Sequence, residues 1–260
     1  QYYPQEKEET IHSIVYSIMK ERNLSYRKEF TSNPYLLKDM DKAVHLLQEA
    51  KKKQQTVWIY GDYDVDGITS VSLCYLALTE LGYPVEYYIP LRDEGYGLNQ
   101  EALQYIYEQG GRIVITVDCG IVSVKEVDFA NSLGMTMIIT DHHEIQGELP
   151  KAAAVINPKR EENLYSFPSL AGVGTAFFLV TALFEQEGKR EEIQKYFDIV
   201  ALGTVADIVP LVEDNRILVQ QGLALLAKSQ WTGLRILVKR LFPDHETRRF
   251  SAYDIGFILA

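Results

Sequence analysis

The order of apolar and polar positions divides the chain into three stretches. In residues 5–22 and 35–53 apolar side chains recur at helical spacing. In the second of these Leu36, Leu37, Met40, Val44, Leu47 and Ala50 form the stripe, and Lys51, Lys52 and Lys53 crowd the end where the helix dipole favours cations. Thr31-Ser32-Asn33-Pro34 between them reads as a turn or helix start. From Thr56 the rhythm changes to short apolar runs at 56–60, 85–89, 112–117, 135–140 and 152–156. They are nearly continuous in apolar residues, as strands covered on both faces are. Helical stretches at 67–82, 99–110 and 123–134 separate them. This alternation predicts an α/β fold, a parallel sheet with helices on both faces. After Pro168, residues 170–187, 191–206, 214–229 and 231–241 read as helices. The expected organisation is an N-terminal helical arm (1–54), an α/β core (55–170) and a helical segment (171–260). No internal repeat or low-complexity tract interrupts it. The sequence stops at Phe257-Ile258-Leu259-Ala260, inside an apolar helical pattern, which suggests that the natural chain continues.

Composition narrows the setting without choosing a function. Hydrophobic residues make up 47% and charged residues 24%, ordinary proportions for a globular protein. No apolar run reaches the roughly 18–20 residues of a membrane span, so neither anchor nor signal peptide is expected. The two cysteines, Cys74 and Cys119, have no partner spacing, which suits a reducing cytoplasm rather than a disulfide framework or a zinc site. A net charge of −10 argues against broad adhesion to phosphate backbones. It leaves room for a site whose carboxylates are neutralised by bound cations.

The candidate chemistry sits where the buried strands end. The first runs into Gly61-Asp62-Tyr63-Asp64-Val65-Asp66-Gly67, the third into Asp118-Cys119-Gly120, and the fourth into Asp141-His142-His143-Glu144. In a parallel sheet the carboxyl ends of the strands share one edge, and ligands bind in the crevice there. Carboxylates gathered so closely repel unless cations intervene. An oxygen-rich set with imidazoles suits Mn²⁺ or Mg²⁺, and two such ions can activate water and stabilise a leaving oxygen. Asp118, arriving from mid-sheet, is the choice for a bridging carboxylate. Each residue has a plainer alternative. Asp64 or Asp66 could cap a helix, Asp118 could be a turn residue, and His142 and His143 could be an exposed loop pair. Cys119 reads as a small strand-end residue rather than a nucleophile.

The three segments 61–67, 117–120 and 140–144, in that order, resemble the motifs of the DHH phosphoesterases, a family named for the triplet standing here as Asp141-His142-His143. A fourth motif is seen in Ala201-Leu202-Gly203-Thr204-Val205-Ala206-Asp207-Ile208-Val209-Pro210-Leu211. Within that family the chain is most similar to the RecJ group of single-strand-specific 5′ exonucleases, through Ile89-Pro90, Gly95-Tyr96-Gly97-Leu98, Val155-Ile156-Asn157-Pro158-Lys159, Leu170-Ala171-Gly172-Val173-Gly174 and Asn215-Arg216. The similarity runs from about Leu36 to the last residue.

The resemblance implies that Asp64, Asp66, Asp118, His142 and Asp207 ligate two Mn²⁺ or Mg²⁺ ions. It implies that His143 sits against the scissile phosphate, as acid or as electrostatic stabiliser. Asp62 is a lesser candidate, accepting a hydrogen bond or holding a metal-bound water. Arg92 is the candidate grip on a terminal phosphate, and Tyr63 and Tyr96 are candidate base-stacking residues. The implied activity is hydrolysis of single-stranded DNA from its 5′ end in repair or recombination, with single-stranded DNA as partner and a single-strand-binding protein or helicase as protein partner. Two rivals stay open: a phosphodiesterase of short oligonucleotides or cyclic dinucleotides, and a non-catalytic scaffold of a replication complex. The family's pyrophosphatases carry a metal-binding histidine four positions before the equivalent of Asp64. Here that position is Tyr60, which counts against a pyrophosphatase.

Overall fold

A computed structural model describes residues 2–4, 10–12, 17–18, 20–22 and 29–259 of the chain. Two short strands, β1 (Tyr2–Pro4) and β2 (Thr10–His12), pair antiparallel. The helix expected over 5–22 therefore does not hold at Thr10–His12. The β-branched Thr10 and Ile11 favour extended backbone there. Residues 17, 18, 20 and 21 are helical, and the rest of that expected helix lies outside the described residues. The second helix of the arm is shorter than its apolar stripe. Pro34–Leu36 forms one 3₁₀ turn, and α1 starts only at Met40 and ends at Lys52. Asp39 causes the break, because its backbone enters the left-handed region at φ +64° and cannot continue a helix.

The core is a five-stranded, all-parallel sheet made of β3 (Val57–Tyr60), β4 (Val85–Tyr88), β5 (Ile113–Val117), β6 (Thr136–Thr140) and β7 (Ala154–Ile156). Its spatial order is β4-β3-β5-β6-β7. Every residue of β3, β5 and β7 is buried, whereas β4, an edge strand, is only partly covered. Side-chain alternation sends the two halves of each strand into different cores. Val57, Ile59, Ile113, Ile115, Ile138 and Ile156 pack with α1, with α2 (Val65–Glu80) and with α5 (Gly172–Gln186). Trp58, Tyr60, Val114, Met137, Ile139 and Val155 pack with α3 (Gln100–Glu108) and α4 (Val124–Ser132). The sheet is thus covered on both faces, as its apolar strands require.

Residues Gly172 to Phe184 of α5 are all buried, so this helix is a core element rather than a surface one. After it come α6 (Phe197–Ala206), α7 (Glu213–Leu225) and α8 (Thr232–Leu241), which build a third apolar cluster around Ala201, Val219, Val238 and Phe242. The arm is tied to the sheet by an ion pair. Arg160 Nη1 donates to Asp39 Oδ2 at 2.7 Å and to the Val155 carbonyl at 2.6 Å, and both side chains are nearly closed to solvent.

The strand order reverses direction between β3 and β5. The chain leaves β3 for β4 on one side, then crosses back to β5 on the other. A crevice opens at such a point, beyond the carboxyl ends of the two strands.

Candidate metal centre

Seven chemically capable side chains meet in that crevice: Asp62, Asp64, Asp66, Asp118, His142, His143 and Asp207. After β3 the backbone makes a tight turn through Gly61–Gly67. A side chain at Gly67 would place its Cβ 2.5 Å from the Asp62 carbonyl oxygen, so only glycine fits. Asp64 caps α2, its Oδ1 accepting from the Gly67 N–H at 2.9 Å, and its side chain remains exposed. Asp66, in the first turn of α2, is buried instead. Capping, the plainer alternative, therefore holds for Asp64, whereas Asp66 turns inward.

Asp118 follows β5 with φ +60°, a left-handed conformation that aspartate tolerates better than most residues. Its N–H still donates to the Thr140 carbonyl at 3.0 Å, so the loop begins only at the side chain. Beyond β6, Asp141 is an anchor to which the sequence assigned no role of its own. Its Oδ2 accepts from the Ile121 N–H at 2.8 Å, and its Oδ1 accepts from the His142 and His143 N–H groups at 2.7 and 3.0 Å. The same Oδ1 lies 2.8 Å from His143 Nδ1. Asp207 is the C-cap of α6, and the exposed Ile208 after it sits at φ +60°, strained for a β-branched residue.

These segments converge. His142 Nε2 lies 3.1 Å from Asp118 Oδ1 and 3.9 Å from Asp66 Oδ2, and His142 Nδ1 lies 3.6 Å from Asp207 Oδ2. Among the described residues three overlapping triads place their ligand atoms within 4.8 Å of one another: Asp66-His142-Asp207, Asp62-Asp64-Asp118 and Asp118-His142-His143. Asp118 and His142 each belong to two triads. Asp62, ranked low from the sequence, stands with Asp64 and Asp118 as a potential ligand.

The cluster is unsatisfied without a cation. Asp118 Oδ1, His142 Nε2 and Asp207 Oδ2 are buried yet have no hydrogen-bond partner, although the first two are close, because their alignment is wrong for a hydrogen bond. Buried polar atoms are rarely left so. Burial, then the neighbouring Asp118, pushes the Asp66 carboxyl well above the usual range. Burial, then Asp64, does the same to Asp118. Asp62 and Asp207 are also raised, chiefly by burial. Divalent ions with oxygen and imidazole ligands would remove both the orphaned lone pairs and the repulsion, so the residues present fit a pair of hard cations.

His143 has a different setting. Its hydrogen bond to Asp141 outweighs burial and raises its pKa, while the same bond, with two backbone N–H groups, draws Asp141 below its ordinary value despite burial. The Tyr96 hydroxyl stands 3.0 and 3.2 Å from the two ring nitrogens of His143 and 3.4 Å from the Asp118 carbonyl oxygen. Tyr96 thus contacts catalytic candidates through its hydroxyl, and its ring meets His143 edge-on. Arg92 lies outside all three triads, in an exposed 3₁₀ turn, with its guanidinium 5.3 Å from the Tyr63 ring centroid. At the position where a pyrophosphatase histidine would stand, Tyr60 is fully buried and donates to the Gly97 carbonyl at 3.0 Å, committed to the opposite core.

Comparison with known proteins places this geometry. The chain is 42% identical over 229 residues to the single-stranded-DNA-specific exonuclease RecJ of Bacillus subtilis (strain 168), an alignment covering 88% of this chain and 28% of that protein. A crystal structure of exonuclease RecJ bound to manganese superposes with a TM-score of 0.75 at 33% identity, covering 86% of this chain and 56% of the other. A structure of RecJ in complex with Mg²⁺ from Thermus thermophilus gives a TM-score of 0.60 at 29% identity over 86% of this chain and 28% of that one. The chain spans less than half the length of these curated relatives, from 28% for the B. subtilis protein to 46% for the Haemophilus influenzae one. The profile described as "DHH family, N-terminal domain" matches residues 56–204, more than half of the sequence, and the chain belongs to the DHH family.

Proposed function

We propose that this chain is the catalytic core of a two-metal phosphodiesterase that degrades single-stranded DNA from its 5′ end. One observation carries the proposal: the interlocking triads around Asp118 and His142, with three buried ligand atoms left without partners. The similarity to RecJ proteins supplies the substrate class.

Asp66, His142, Asp207 and Asp118 would hold one cation, and Asp62, Asp64 and Asp118 the other, so that Asp118 is shared. When bound, two such ions polarise the phosphodiester, activate water and stabilise the leaving oxygen. The chain's own residues do the rest. Asp141 fixes the His143 ring through Nδ1, so Nε2, 3.2 Å from the Tyr96 hydroxyl, is the nitrogen that would meet the phosphate. His143 supplies positive charge or a proton where negative charge develops. The Tyr96 hydroxyl limits the swing of that ring. Arg92, beside Tyr63, is the proposed grip on a terminal phosphate, and the two aromatic rings offer stacking faces that accept any base. Recognition would rest on phosphate and stacking contacts rather than on base edges.

In this reading residues 1–54 form an arm, 55–170 the α/β unit and 171–260 a helical extension of the same domain. Among the described residues no helix is long and apolar enough to cross a membrane. A cytoplasmic setting, with a single-strand-binding protein or helicase as partner, completes the proposal.

The test uses the 260-residue chain, a 5′-phosphorylated single strand carrying a label, and Mn²⁺. Mononucleotides should be released from the 5′ end by the wild type and not by Asp118→Ala or Asp207→Ala. Equal release from blunt duplex, release only from dinucleotides, or undiminished activity in both variants would overturn the assignment.

A further inference from the structure

Two of the inner carboxylates depend on a helix that contributes no ligand of its own. The Gly172 N–H donates to Asp66 Oδ2 at 2.7 Å, and the Val173 N–H donates to Asp66 Oδ1 at 2.8 Å. These are N–H groups of the first turn of α5, unpaired within the helix and aimed along its positive end. Each Asp66 oxygen keeps a second lone pair for a cation.

The same turn sets the place of Asp118. A Cβ at Gly172 would stand 2.3 Å from Asp118 Oδ1 and 2.6 Å from its Cβ and Cγ. The helix cannot retreat, because Phe177, Phe178 and Phe184 lock it into the main core. Gly203 of α6 closes the wall from the other side: a Cβ there would come within 2.2 Å of Thr69 Oγ1, 2.8 Å of Val173 Cγ1 and 2.9 Å of Asp66 Oδ1. Gly174, one position past Val173, is different. A Cβ there would meet nothing closer than the Leu170 side chain at 3.5 Å, an ordinary contact.

We infer that the first turn of α5 is the positioning element of the metal centre: Gly172 and Val173 clamp Asp66 through their backbone, and the missing side chain at Gly172 makes the space that Asp118 occupies among the residues that would hold the cations. The inference rests on the cluster being a cation site. It assigns a role to Gly172-Val173, while Gly174 serves the helix alone. A carboxylate locked from behind by two N–H groups presents its free lone pairs in one direction, so the site is organised before a cation arrives.

Calorimetric titration with Mn²⁺ tests this in the wild type, Gly172→Ala, Val173→Pro and Gly174→Ala, with thermal unfolding in EDTA as the control for folding. Val173→Pro removes one donor to Asp66 and sets the ring Cδ where the N–H pointed, so the carboxylate must shift, while proline itself is tolerated in a helix's first turn. Losing a hydrogen bond to a charged group should weaken Mn²⁺ binding by about tenfold or more. Gly172→Ala should weaken it at least as much. Gly174→Ala should bind as the wild type does and unfold at an equal or higher temperature, as expected for glycine replaced by alanine inside a helix. Should the substitutions prevent folding, the wild type itself decides by NMR. On titration with Mg²⁺ the amide protons of Gly172 and Val173 should shift while that of Gly174 stays. Wild-type affinity and stoichiometry in folded Gly172→Ala and Val173→Pro, or amides of Gly172 and Val173 that ignore Mg²⁺, would overturn the inference. A wild type that binds no Mn²⁺ would instead remove the metal centre itself.

Discussion

Replacing Asp118 by asparagine should make the cation-free protein more stable while removing its response to metal. The ligand oxygens of Asp62, Asp64 and Asp118 lie within 4.8 Å of one another. At an effective dielectric of about 20, two full charges at that distance repel by about 3.5 kcal/mol. The realised cost is smaller, because Asp64 is exposed and screened and because proton uptake by the buried carboxyls removes part of the charge. A net relief of about 1–2 kcal/mol remains. For a chain of this size, each kcal/mol moves the midpoint by roughly 2–4 °C, so a rise of about 2–8 °C in EDTA is expected. Asparagine keeps the shape of the side chain and tolerates the φ of +60° at this position. The wild type, held at about a hundred times its dissociation constant for Mn²⁺, should gain about 2.7 kcal/mol, and the variant should gain almost none. Differential scanning calorimetry in EDTA and in Mn²⁺ reads both effects. A variant less stable than the wild type in EDTA, yet stabilised as strongly by Mn²⁺, would refute the placement of Asp118 between two cations.

Three further outcomes follow from the geometry. Tyr96→Phe removes the hydroxyl beside His143 and should lower kcat about threefold to tenfold with KM little changed, as measured by steady-state kinetics on a labelled single strand. Arg160→Ala leaves Asp39 with only Lys42 and the Val155 N–H and takes a donor from the Val155 carbonyl, and should cost about 1–3 kcal/mol at neutral pH in urea unfolding. Burial alone would raise Asp39, but Lys42, Arg160 and the Val155 N–H outweigh it, so its folded pKa lies below 3.8. The pair's contribution is therefore complete above the unfolded value and lost as pH falls through the folded one. The gap between wild type and Arg160→Ala should shrink below about pH 4, and a gap independent of pH would deny the pairing its electrostatic part.

The strands were legible in the sequence to within one or two residues, because residues buried on both faces leave runs with no polar interruption, and such runs have only one use in an α/β chain. The convergence of Asp64, Asp118 and His142 was legible for the same reason: parallel strands deliver their carboxyl ends to one edge. The misses have a different physics. The helical stripe over 35–53 continued through Leu36 and Leu37, but one left-handed residue, Asp39, ended the helix there, and backbone sign leaves no mark on hydrophobic spacing. Asp62 meets Asp64 and Asp118 only through the turn after β3, whose path the sequence does not spell out. Asp141 was hidden behind the two histidines that it positions. The clamp on Asp66 joins residues 106 and 107 positions apart, and no local pattern could announce it.

That long-range clamp also changes what counts as the functional unit. The α/β segment 55–170 holds the sheet and its three acidic strand ends, and taken alone it would pass for a complete doubly wound domain. Yet Asp207 closes one triad from the end of α6, and the donors that fix Asp66 come from the start of α5. The match to the DHH profile itself ends at residue 204, three positions before Asp207. A cluster of raised carboxylates is a cost to the cation-free fold, and the sheet segment orients only part of it, Asp64 through the Gly67 N–H and His143 through Asp141. Here α5, buried over its first thirteen residues, backs Asp66 and Asp118, and α6, packed against α2, brings Asp207 into the cluster. The expected boundary near residue 170 is thus a change in sequence rhythm, whereas the cluster of acids and histidines draws on the sheet and the helices that follow it together.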